Sequence, residues 1–431
     1  MTESLNIGIA GLGTVGAGVV KLIAEHRGLL ALRAARPLKV VAVSARDKSK
    51  KRGIDLAGVR WCDDPLDLAR DPKIDVVVEL IGGSDGVAKD LCESAIAAGK
   101  SVVTANKALL ARHGTALALA AEAKGVALAC EAAVAGGIPI IKALREGLAG
   151  NLITRVFGIL NGTCNYILTQ MQETGRGFDT VLAEAQSLGY AEADPSFDVD
   201  GIDAAHKLAV LSSMAFNSVV DFDAVYVEGI RHVTAQDIVF ARELGYRIKL
   251  LAIARRTALG IEQRVHPCMI DADSAIAHVD GVFNAVVAEG DFVDRTMFVG
   301  RGAGAGPTAS AVVADLVDIA SGRRAPTFGV PAKNLAASKR SPMERHIGPY
   351  YVRLMVSDRP GVIADVAAVL RDEKISIESL LQHGRAAAGE AVPVVMTTHE
   401  AEEAAMVRAF KRIGKLGTVI EPPRLIRIEL L

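Results

Sequence analysis

The hydrophobic pattern of the first 130 residues predicts strands that alternate with helices. Short, almost wholly apolar runs are each followed by a longer stretch whose apolar positions have helical spacing. Strands this apolar are buried on both faces, which is typical of a parallel sheet with helices on either side. Four such runs stand out in the sequence: NIGIAG, LKVVAVS, IDVVVELIGG and KSVVT.

A glycine-rich turn follows the first of these runs. Gly11, Gly13 and Gly16 have the spacing of the dinucleotide-binding fingerprint, with Thr14 and Val15 between them. The glycines permit a tight turn and a close approach of the backbone to a pyrophosphate, and the following helix presents its N-terminus to the phosphates. Because a strand precedes the turn and a helix follows it, we predict a Rossmann domain over residues 1–130 rather than an ordinary glycine turn.

The end of the second strand indicates which dinucleotide is bound. An NAD-specific protein carries an acidic residue there, on the ribose hydroxyls. This chain has Arg46 instead, followed by Lys48, Lys50, Lys51 and Arg52. The pattern predicts a 2′-phosphate and hence NADP. Asp47 keeps NAD possible, and a solvated basic loop without a ligand is the alternative.

Lys107 comes just after the KSVVT strand and opens a helix. The carboxyl ends of parallel strands face the ligand in such sheets, so we expect Lys107 beside the nicotinamide. The alternative is a solvated lysine at a helix N-terminus.

The stretch from Ser187 to Phe216 sets carboxylates and one lysine against an apolar background. From Gly201 its pattern is helical, so Asp203 and Lys207, four residues apart, lie on one face. On an exposed helix this would be a weak surface ion pair. The helix is apolar most of the way round, which indicates burial, and a buried lysine beside a carboxylate can act as an acid or base. We therefore predict the active site here.

Glu131 lies in an apolar stretch that we expect to be a strand. A carboxylate in such surroundings needs either a cation, shared with nearby backbone carbonyls, or hydrogen bonds alone. The sequence leaves both open.

Two further domains are predicted. Residues 131–340 mix helix and strand, as expected of an α+β substrate and dimerisation domain, and their glycine loop GRGAGAG runs into a helix that could pack back on the first domain. Residues 349–431 have the pattern of a ferredoxin-like βαββαβ module. The whole chain is thus expected to be of the α/β class.

Composition excludes several kinds of partner. A net charge of −1 over 431 residues, with interspersed signs, gives no basic face for nucleic acid, and no apolar run is long enough to span a membrane. The five cysteines are scattered without CxxC spacing, so neither a disulfide framework nor a zinc site is indicated. We expect a cytoplasmic protein that binds small molecules.

Together the motifs resemble those of bacterial homoserine dehydrogenases with a C-terminal ACT domain. The resemblance covers essentially the whole chain and implies an NAD(P)-dependent interconversion of L-homoserine and L-aspartate 4-semialdehyde, on the route to threonine, methionine and isoleucine. It also implies a homodimer or homotetramer. The matching runs include GLGTVGAGVV, VVTANKALLA, EAAVAGGIPII, GILNGTCNYIL, GYAEADPSFDVDGIDAAHKLAVL, GRGAGAGPTASAVVADL and DRPGVIADVA.

The resemblance implies roles for individual residues. Lys207 matches the catalytic acid/base, with Asp203 beside it. Lys107 matches a residue at the reacting centre that contacts both cofactor and substrate. Glu192 and Asp198 match substrate-binding carboxylates, and Gly304 lies in a loop similar to the one that closes over the cofactor.

The resemblance also implies an ion and an effector. A monovalent cation, sodium in this family, is implied at Glu131, Val134, Gly136 and Ile138. The ACT domain implies feedback inhibition by a small amino acid, with L-threonine the first candidate, near the turn at residues 358–361.

Two rival interpretations fit part of the pattern. A related two-domain dehydrogenase of another amino-acid aldehyde could use a cysteine nucleophile, but Cys130 and Cys164 have no evident histidine partner. A non-catalytic amino-acid sensor could keep the fold and the ACT module. The joint presence of Lys207, Asp203, Glu192 and Lys107 argues against it.

Overall fold

A computed structural model of the protein describes residues 3–383 and 391–431. In this part of the chain, the first unit contains a six-stranded parallel sheet in the order β3-β2-β1-β4-β5-β6. This is the strand order of a Rossmann domain, as predicted. The strands are β1 (Leu5–Ala10), β2 (Leu38–Ser44), β3 (Arg60–Cys62), β4 (Val76–Glu79), β5 (Ser101–Thr104) and β6 (Leu128–Ala129).

Helices connect these strands and cover the sheet. The connection between the first helix and β2, which is long in the sequence, is itself filled by a second helix. The helices are α1 (Thr14–Glu25), α2 (Arg27–Ala34), α3 (Leu66–Arg70), α4 (Val87–Ala97) and α5 (Lys107–Ala123).

The turn between β1 and α1 requires glycine at two positions. Gly11 has a φ of +96°, and a Cβ there would lie 2.4 Å from the carbonyl oxygen of Leu80. A Cβ on Gly16 would lie 2.0 Å from the carbonyl oxygen of Gly11. A Cβ on Gly13 would meet nothing within 4 Å, so space is open in front of the helix N-terminus. The turn thus has the sharp bend, the tight packing and the free approach that a dinucleotide needs.

The second unit is a mainly antiparallel sheet with helices packed on one face. Its strands are β7 (Ile153–Ile159), β8 (Val225–Val227), β9 (Tyr246–Thr257), β10 (Gly260–Asp271), β11 (Phe283–Gly290) and β12 (Asp294–Arg301). Its helices are α6 (Ile140–Lys142), α7 (Gly162–Thr174), α8 (Phe178–Ser187), α9 (Ser196–Val199), α10 (Ile202–Phe216), α11 (Ala235–Glu243) and α12 (Ala305–Ala320). α7, α10 and α11 all pack against β9, which agrees with the α+β prediction.

The last helix of the second unit, α12, packs back on α1 of the first. A Cβ on Gly18 would lie 2.9 Å from the carbonyl oxygen of Ala305 and 3.4 Å from the Cβ of Ala309. Val19 and Val312 belong to one buried cluster. Because the two units share this core, the cofactor turn and the glycine loop before α12 are held close to each other.

The C-terminal unit has the predicted βαββαβ order. Its antiparallel strands lie in the order β18-β14-β16-β15, and β13 pairs separately with β17. The elements are β13 (Ile347–Gly348), β14 (Tyr350–Ser357), α13 (Val362–Asp372), β15 (Ile377–Gln382), β16 (Ala391–Thr398), β17 (Ala401–Glu402), α14 (Glu403–Ile413) and β18 (Arg424–Glu429).

The sheets of the second and third units are continuous, which the sequence did not predict. β18 pairs in parallel with β10, with Cys268 opposite Arg427 and Ile270 opposite Glu429. Together with β8, the two units form one ten-stranded sheet in the described residues. Among residues 3–383 and 391–431, no helix is long and apolar enough to cross a membrane.

Candidate active site

A cleft of about 600 Å³ lies where the first two units meet. The end of β5, the N-terminus of α7, helix α10 and the loop before α12 all contribute to its wall. Residues that are far apart in the sequence therefore come together at the carboxyl end of the parallel sheet. This is where ligands bind in such folds.

Asp203 and Lys207 form a buried ion pair on α10, as predicted. Lys207 Nζ lies 2.6 Å from Asp203 Oδ2 and also donates to the carbonyl oxygen of Leu160 at 2.7 Å. The side chain of Lys207 is 10% exposed and that of Asp203 is 5% exposed, so the pair is not a solvated surface ion pair. Both residues line the cleft.

Lys107 binds the other oxygen of the same carboxylate. Its Nζ lies 3.0 Å from Asp203 Oδ1 and lies over the ring of Phe197 at 5.7 Å. Burial alone would lower the pKa of Lys107, but the charge of Asp203 outweighs it and raises that pKa. Burial would likewise raise the pKa of Asp203, but the two ammonium groups and an amide of Asn161 hold it well below its usual range.

Asn161 connects the two carboxylates of the site, and the sequence analysis did not assign it a role. Its Nδ2 donates to Asp198 Oδ1 at 2.7 Å and to Asp203 Oδ2 at 2.9 Å. Its Oδ1 accepts from the backbone N–H of Cys164, so the residue is also the N-cap of α7. An asparagine directly before a helix was the available signal, but capping alone would have explained it.

Asp198 and Glu192 line the same cleft. Burial, followed by the neighbouring charge of Asp203, raises the pKa of Asp198. Glu192 lies in the loop before α9, is exposed and also lines the cleft.

Residues of the first glycine turn and of the loop before α12 reach the same cleft. Val15 and Gly304 line it, and Gly304 precedes α12 with a φ of +117°. Thr14 begins α1 next to Val15 and is exposed.

A second cavity of about 680 Å³ adjoins the glycine turn. Gly11 and Gly13 line it together with Arg46, Lys50 and Arg52. Asp47 lies there too, but its Oδ1 accepts from the backbone N–H of Ser49 at 2.8 Å and from that residue's hydroxyl at 2.6 Å. The carboxylate is therefore engaged in its own turn, while Arg46 is exposed.

Glu131 does not lie in a strand, contrary to our expectation. It begins a short 3-10 helix, Glu131–Ala133, and its carboxylate accepts from the backbone N–H groups of Ile141 at 3.0 Å and Lys142 at 2.9 Å. These are the unpaired donors at the start of α6, which explains why an acid is needed here. The side chain is buried and does not line the cleft.

A second buried carboxylate lies against Glu131. Asp315 Oδ2 accepts from the backbone N–H of Glu131 at 2.8 Å. Burial and then the charge of Asp315 raise the pKa of Glu131 to about 7, and burial raises the pKa of Asp315 to about 6. Val134, Gly136 and Ile138 follow in a turn where Ala135 and Gly136 both have positive φ.

His206 lies next to the site, on α10, and the sequence analysis missed it. Its ring stacks between those of Phe222, at 4.3 Å, and Phe197, at 5.6 Å. Burial lowers its pKa to about 4, so the ring is neutral at pH 7. Phe197 thus lies close to both this ring and the ammonium of Lys107, which helps to fix the lysine.

The two cysteines considered as nucleophiles are unsuited to that role. Both are fully buried. Burial raises the pKa of Cys130 to about 12 and raises the pKa of Cys164 well above its usual value. A thiolate at either position is therefore disfavoured, which argues against the rival dehydrogenase with a cysteine nucleophile.

Comparison with known proteins agrees with this geometry. The family model of the homoserine dehydrogenase NAD-binding domain matches residues 11–131, that of homoserine dehydrogenase matches residues 139–317, and that of the ACT domain matches residues 350–415. A homoserine dehydrogenase of Pseudomonas aeruginosa is 47% identical over the full length of both chains. The chain belongs to the homoserine dehydrogenase family.

Further homoserine dehydrogenases support this assignment. That of Neisseria gonorrhoeae is 45% identical and matches 100% of this chain and 99% of its own. The crystal structure of one from Thiobacillus denitrificans, 47% identical, superposes with a TM-score of 0.94 over 99% of this chain and 98% of that one. A hyperthermophilic archaeal homoserine dehydrogenase in complex with NADPH is 28% identical, with a TM-score of 0.63 over 73% of this chain and 97% of that one.

As a member of the homoserine dehydrogenase family, the chain is an oxidoreductase that acts on a CH–OH group. It combines an NAD(P)-binding Rossmann domain, a catalytic domain and an ACT domain.

Proposed function

We propose that the protein interconverts L-homoserine and L-aspartate 4-semialdehyde with NADP, and that Lys207 moves the proton. The observation that carries this proposal is the ion cluster in the cleft. Lys107 and Lys207 each form an ion pair with a different oxygen of one buried carboxylate, that of Asp203. The cluster lies at the carboxyl end of the Rossmann sheet. When bound, the nicotinamide supplies the acceptor or donor of the hydride.

The hydrogen bonds of Lys207 define its proposed role. Its ammonium has three donors, and two of them are used by Asp203 and the carbonyl oxygen of Leu160. The third is available to the substrate oxygen. In the reduction of the aldehyde, Nζ donates a proton to that oxygen, and in the oxidation of homoserine the neutral amine accepts it. Asp203 keeps the lysine in place in both directions.

The remaining charges suit the other groups of the substrate. Lys107 has a raised pKa and stays cationic, so it favours a partial negative charge on the reacting oxygen. Asp198 and Glu192 line the same cleft and are proposed to bind the substrate ammonium. Asn161 positions Asp198 relative to Asp203.

NADP is proposed as the preferred cofactor because of the loop after β2. Arg46 is exposed beside the cavity that adjoins the glycine turn, and it can pair with a 2′-phosphate. Asp47 would favour NAD if its carboxylate met the ribose, but its Oδ1 is used by Ser49.

A monovalent cation is proposed beside Glu131. Glu131 and Asp315 are both buried, and Asp315 accepts from the backbone N–H of Glu131. Lys142 faces Asp315 but also pairs with Asp318, so that, with Arg145, two cations face three carboxylates. Carboxylate and carbonyl oxygens are the ligands that hard cations prefer. The candidate ligands beside Glu131 are the backbone carbonyl oxygens of Val134, Gly136 and Ile138. Sodium should raise the melting temperature of the wild type more than N-methylglucamine at equal ionic strength. Glu131→Gln should remove that difference, and an equal response of both proteins would exclude the site.

Feedback inhibition by L-threonine is proposed to act through the ACT unit. Gly361 is the N-cap of α13 and has a φ of +95°. A Cβ there would meet nothing within 4 Å, so a ligand can approach the turn at residues 358–361. The unit is joined to the catalytic sheet through β18 and β10, and α10, which carries Lys207, packs on β10. An effector that binds two arrangements of this shared sheet unequally would change activity.

A homodimer or homotetramer is also proposed. In the described residues, β12 and β15 end the ten-stranded sheet, and unpaired sheet edges can pair with another chain. Light scattering of the purified protein gives the assembly mass directly, and a monomer at micromolar concentration would contradict the proposal.

The reaction is tested by absorbance at the nicotinamide band. Homoserine with NADP should produce reduced cofactor, and homoserine with NAD should do so less efficiently. Binding of NADP without any reduction by homoserine would instead indicate another alcohol substrate or a non-catalytic sensor.

A further inference from the structure

Asn284 is a buried asparagine in the wall of the cleft whose amide lacks hydrogen-bond partners. It lies in β11 and is 1% exposed. Among the described residues, neither its Nδ2 nor its Oδ1 has a partner, and no other described side chain leaves two buried polar atoms unpaired. An unpaired buried amide costs free energy, so its presence in a cleft points to a ligand that completes it.

Two neighbouring asparagines are satisfied within the protein. Asn161 is paired with Asp198, Asp203 and the backbone of Cys164. Asn165 Nδ2 donates to the carbonyl oxygens of Val279 and Phe283, and its Oδ1 accepts from Lys249. The unpaired amide is therefore a property of position 284 and not of this region in general.

The amide of Asn284 lies between the glycine loop before α12 and the start of α7. A Cβ on Gly302 would lie 2.1 Å from Nδ2 and 2.2 Å from Cγ, and a Cβ on Gly162 would lie 3.5 Å from Oδ1. Glycine at 302 thus lets the loop lie directly against the amide. A side chain fixed in this way is preorganised to bind a ligand.

We propose that Asn284 binds the carboxamide of the nicotinamide ring. An amide has a donor and an acceptor side by side, and a carboxamide offers the matching acceptor and donor. The two hydrogen bonds would fix the ring in one orientation relative to Lys207. This inference rests on the proposed use of a nicotinamide cofactor and makes Asn284 a positioning residue for it.

The substrate is the less suitable partner. Its ammonium has only donors and its carboxylate only acceptors, so either one alone would leave half of the amide unpaired. The ammonium is already matched by Asp198 and Glu192, which line the same cleft.

Calorimetry with two oxidised cofactors tests the proposal. In the 3-acetylpyridine analogue of NADP a methyl group replaces the amide nitrogen, so the analogue can accept from Asn284 but cannot donate to it. The wild type should bind NADP about tenfold more tightly than this analogue, the usual effect of one buried hydrogen bond. Asn284→Leu should bind NADP more weakly and should no longer distinguish the two cofactors.

The melting temperature of the ligand-free protein separates this role from a structural one. Replacing an unpaired amide with an apolar side chain of similar shape should leave it unchanged or raise it. Asn284→Ala, which cannot overfill the site, is measured alongside. Asn165→Ala is the matched control: it should lower the melting temperature but keep the preference for NADP over the analogue.

Several outcomes would overturn the inference. Unchanged discrimination in both Asn284 variants would mean that another group binds the carboxamide. A raised KM for homoserine with unchanged cofactor discrimination would assign Asn284 to the substrate. Failure of the wild type to bind NADP would refute the proposed cofactor itself, which is a different result from binding without discrimination.

Discussion

Glu429→Gln should destabilise the junction between the catalytic and ACT units. Arg264 is 0% exposed and donates to Glu429 Oε2 at 3.1 Å, to Glu262 Oε1 at 2.6 Å and to His266 Nε2 at 2.8 Å. Glu429 lies on β18 and Arg264 on β10, so this ion pair crosses the seam between the two units. The substitution leaves the shape almost unchanged but removes one of the two charges that balance the buried guanidinium.

The magnitude follows from this arrangement. Two unit charges about 4 Å apart attract by about 4 kcal/mol at an effective dielectric constant of about 20. Breaking a buried ion pair typically costs about 3–5 kcal/mol. Because Glu262 still faces Arg264 in the variant, we expect the lower end, about 3 kcal/mol, which corresponds to a fall of roughly 6–12 °C in melting temperature for a unit of about 150–250 residues.

The pH dependence gives a second check. Burial would raise the pKa of Glu429, but Arg264 outweighs it and lowers that pKa below its usual value of 4.5. A carboxyl group whose pKa is lowered by folding contributes its full stabilisation at pH values above the unfolded-state pKa of 4.5. That contribution is lost as the pH falls through the pKa of the folded state. The difference in stability between wild type and Glu429→Gln should therefore be constant near pH 7 and shrink at pH below about 4.

Calorimetric melting of matched variants decides the matter. Glu402→Gln breaks a partly exposed pair with Arg345 and should cost less than about 1 kcal/mol. The double variant Arg264→Met with Glu429→Met, which removes both charges, should recover most of the loss. If Glu429→Gln melts like the wild type, or if the double variant is no more stable than the single one, the buried pair does not stabilise the junction.

Two further predictions concern the cofactor and the effector. Arg46→Asp should raise the Kd for NADP by roughly tenfold or more with little effect on NAD, because a carboxylate would then repel the 2′-phosphate. Lys48→Asp, in the same loop but outside the cavity, is the control, and an equal loss for both cofactors would contradict the 2′-phosphate assignment. Ending the chain after Arg340 should keep cofactor binding but abolish inhibition by threonine. Because this truncation removes Glu429, it should be combined with Arg264→Met, and equal inhibition of both lengths would place the effector site elsewhere.

The sequence was sufficient where a local pattern determines the structure. The glycine turn, the Rossmann sheet and the C-terminal βαββαβ order depend on short-range signals, and all were correctly predicted. The burial of Asp203 and Lys207 also followed from the apolar surroundings on one helix. Glu131 was misassigned to a strand because an apolar run of this kind fits a strand and a short 3-10 turn equally well.

Long-range pairing could not be read from the sequence. Whether β18 joins β10 depends on contacts between segments more than 150 residues apart, and the charges of Arg264 and Glu429 would ordinarily suggest exposed positions. Asn161 and Asn284 were missed for a related reason. Their roles depend on which groups surround them in the fold, and an asparagine before a helix or at a strand start has ordinary local explanations.

Lys207→Ala removes the group that is proposed to transfer the proton. Turnover of homoserine should fall by about 10²–10⁴-fold while the Kd for NADP stays nearly unchanged, because the lysine acts on the substrate oxygen and not on the pyrophosphate. Lys207→Arg should also remain inactive, since a guanidinium keeps the charge but cannot release a proton near neutral pH. Lys21→Ala, which removes a solvated lysine that faces a carboxylate at the same four-residue spacing, should retain full activity. Wild-type turnover in Lys207→Ala, or full activity in Lys207→Arg, would show that Lys207 does not transfer the proton.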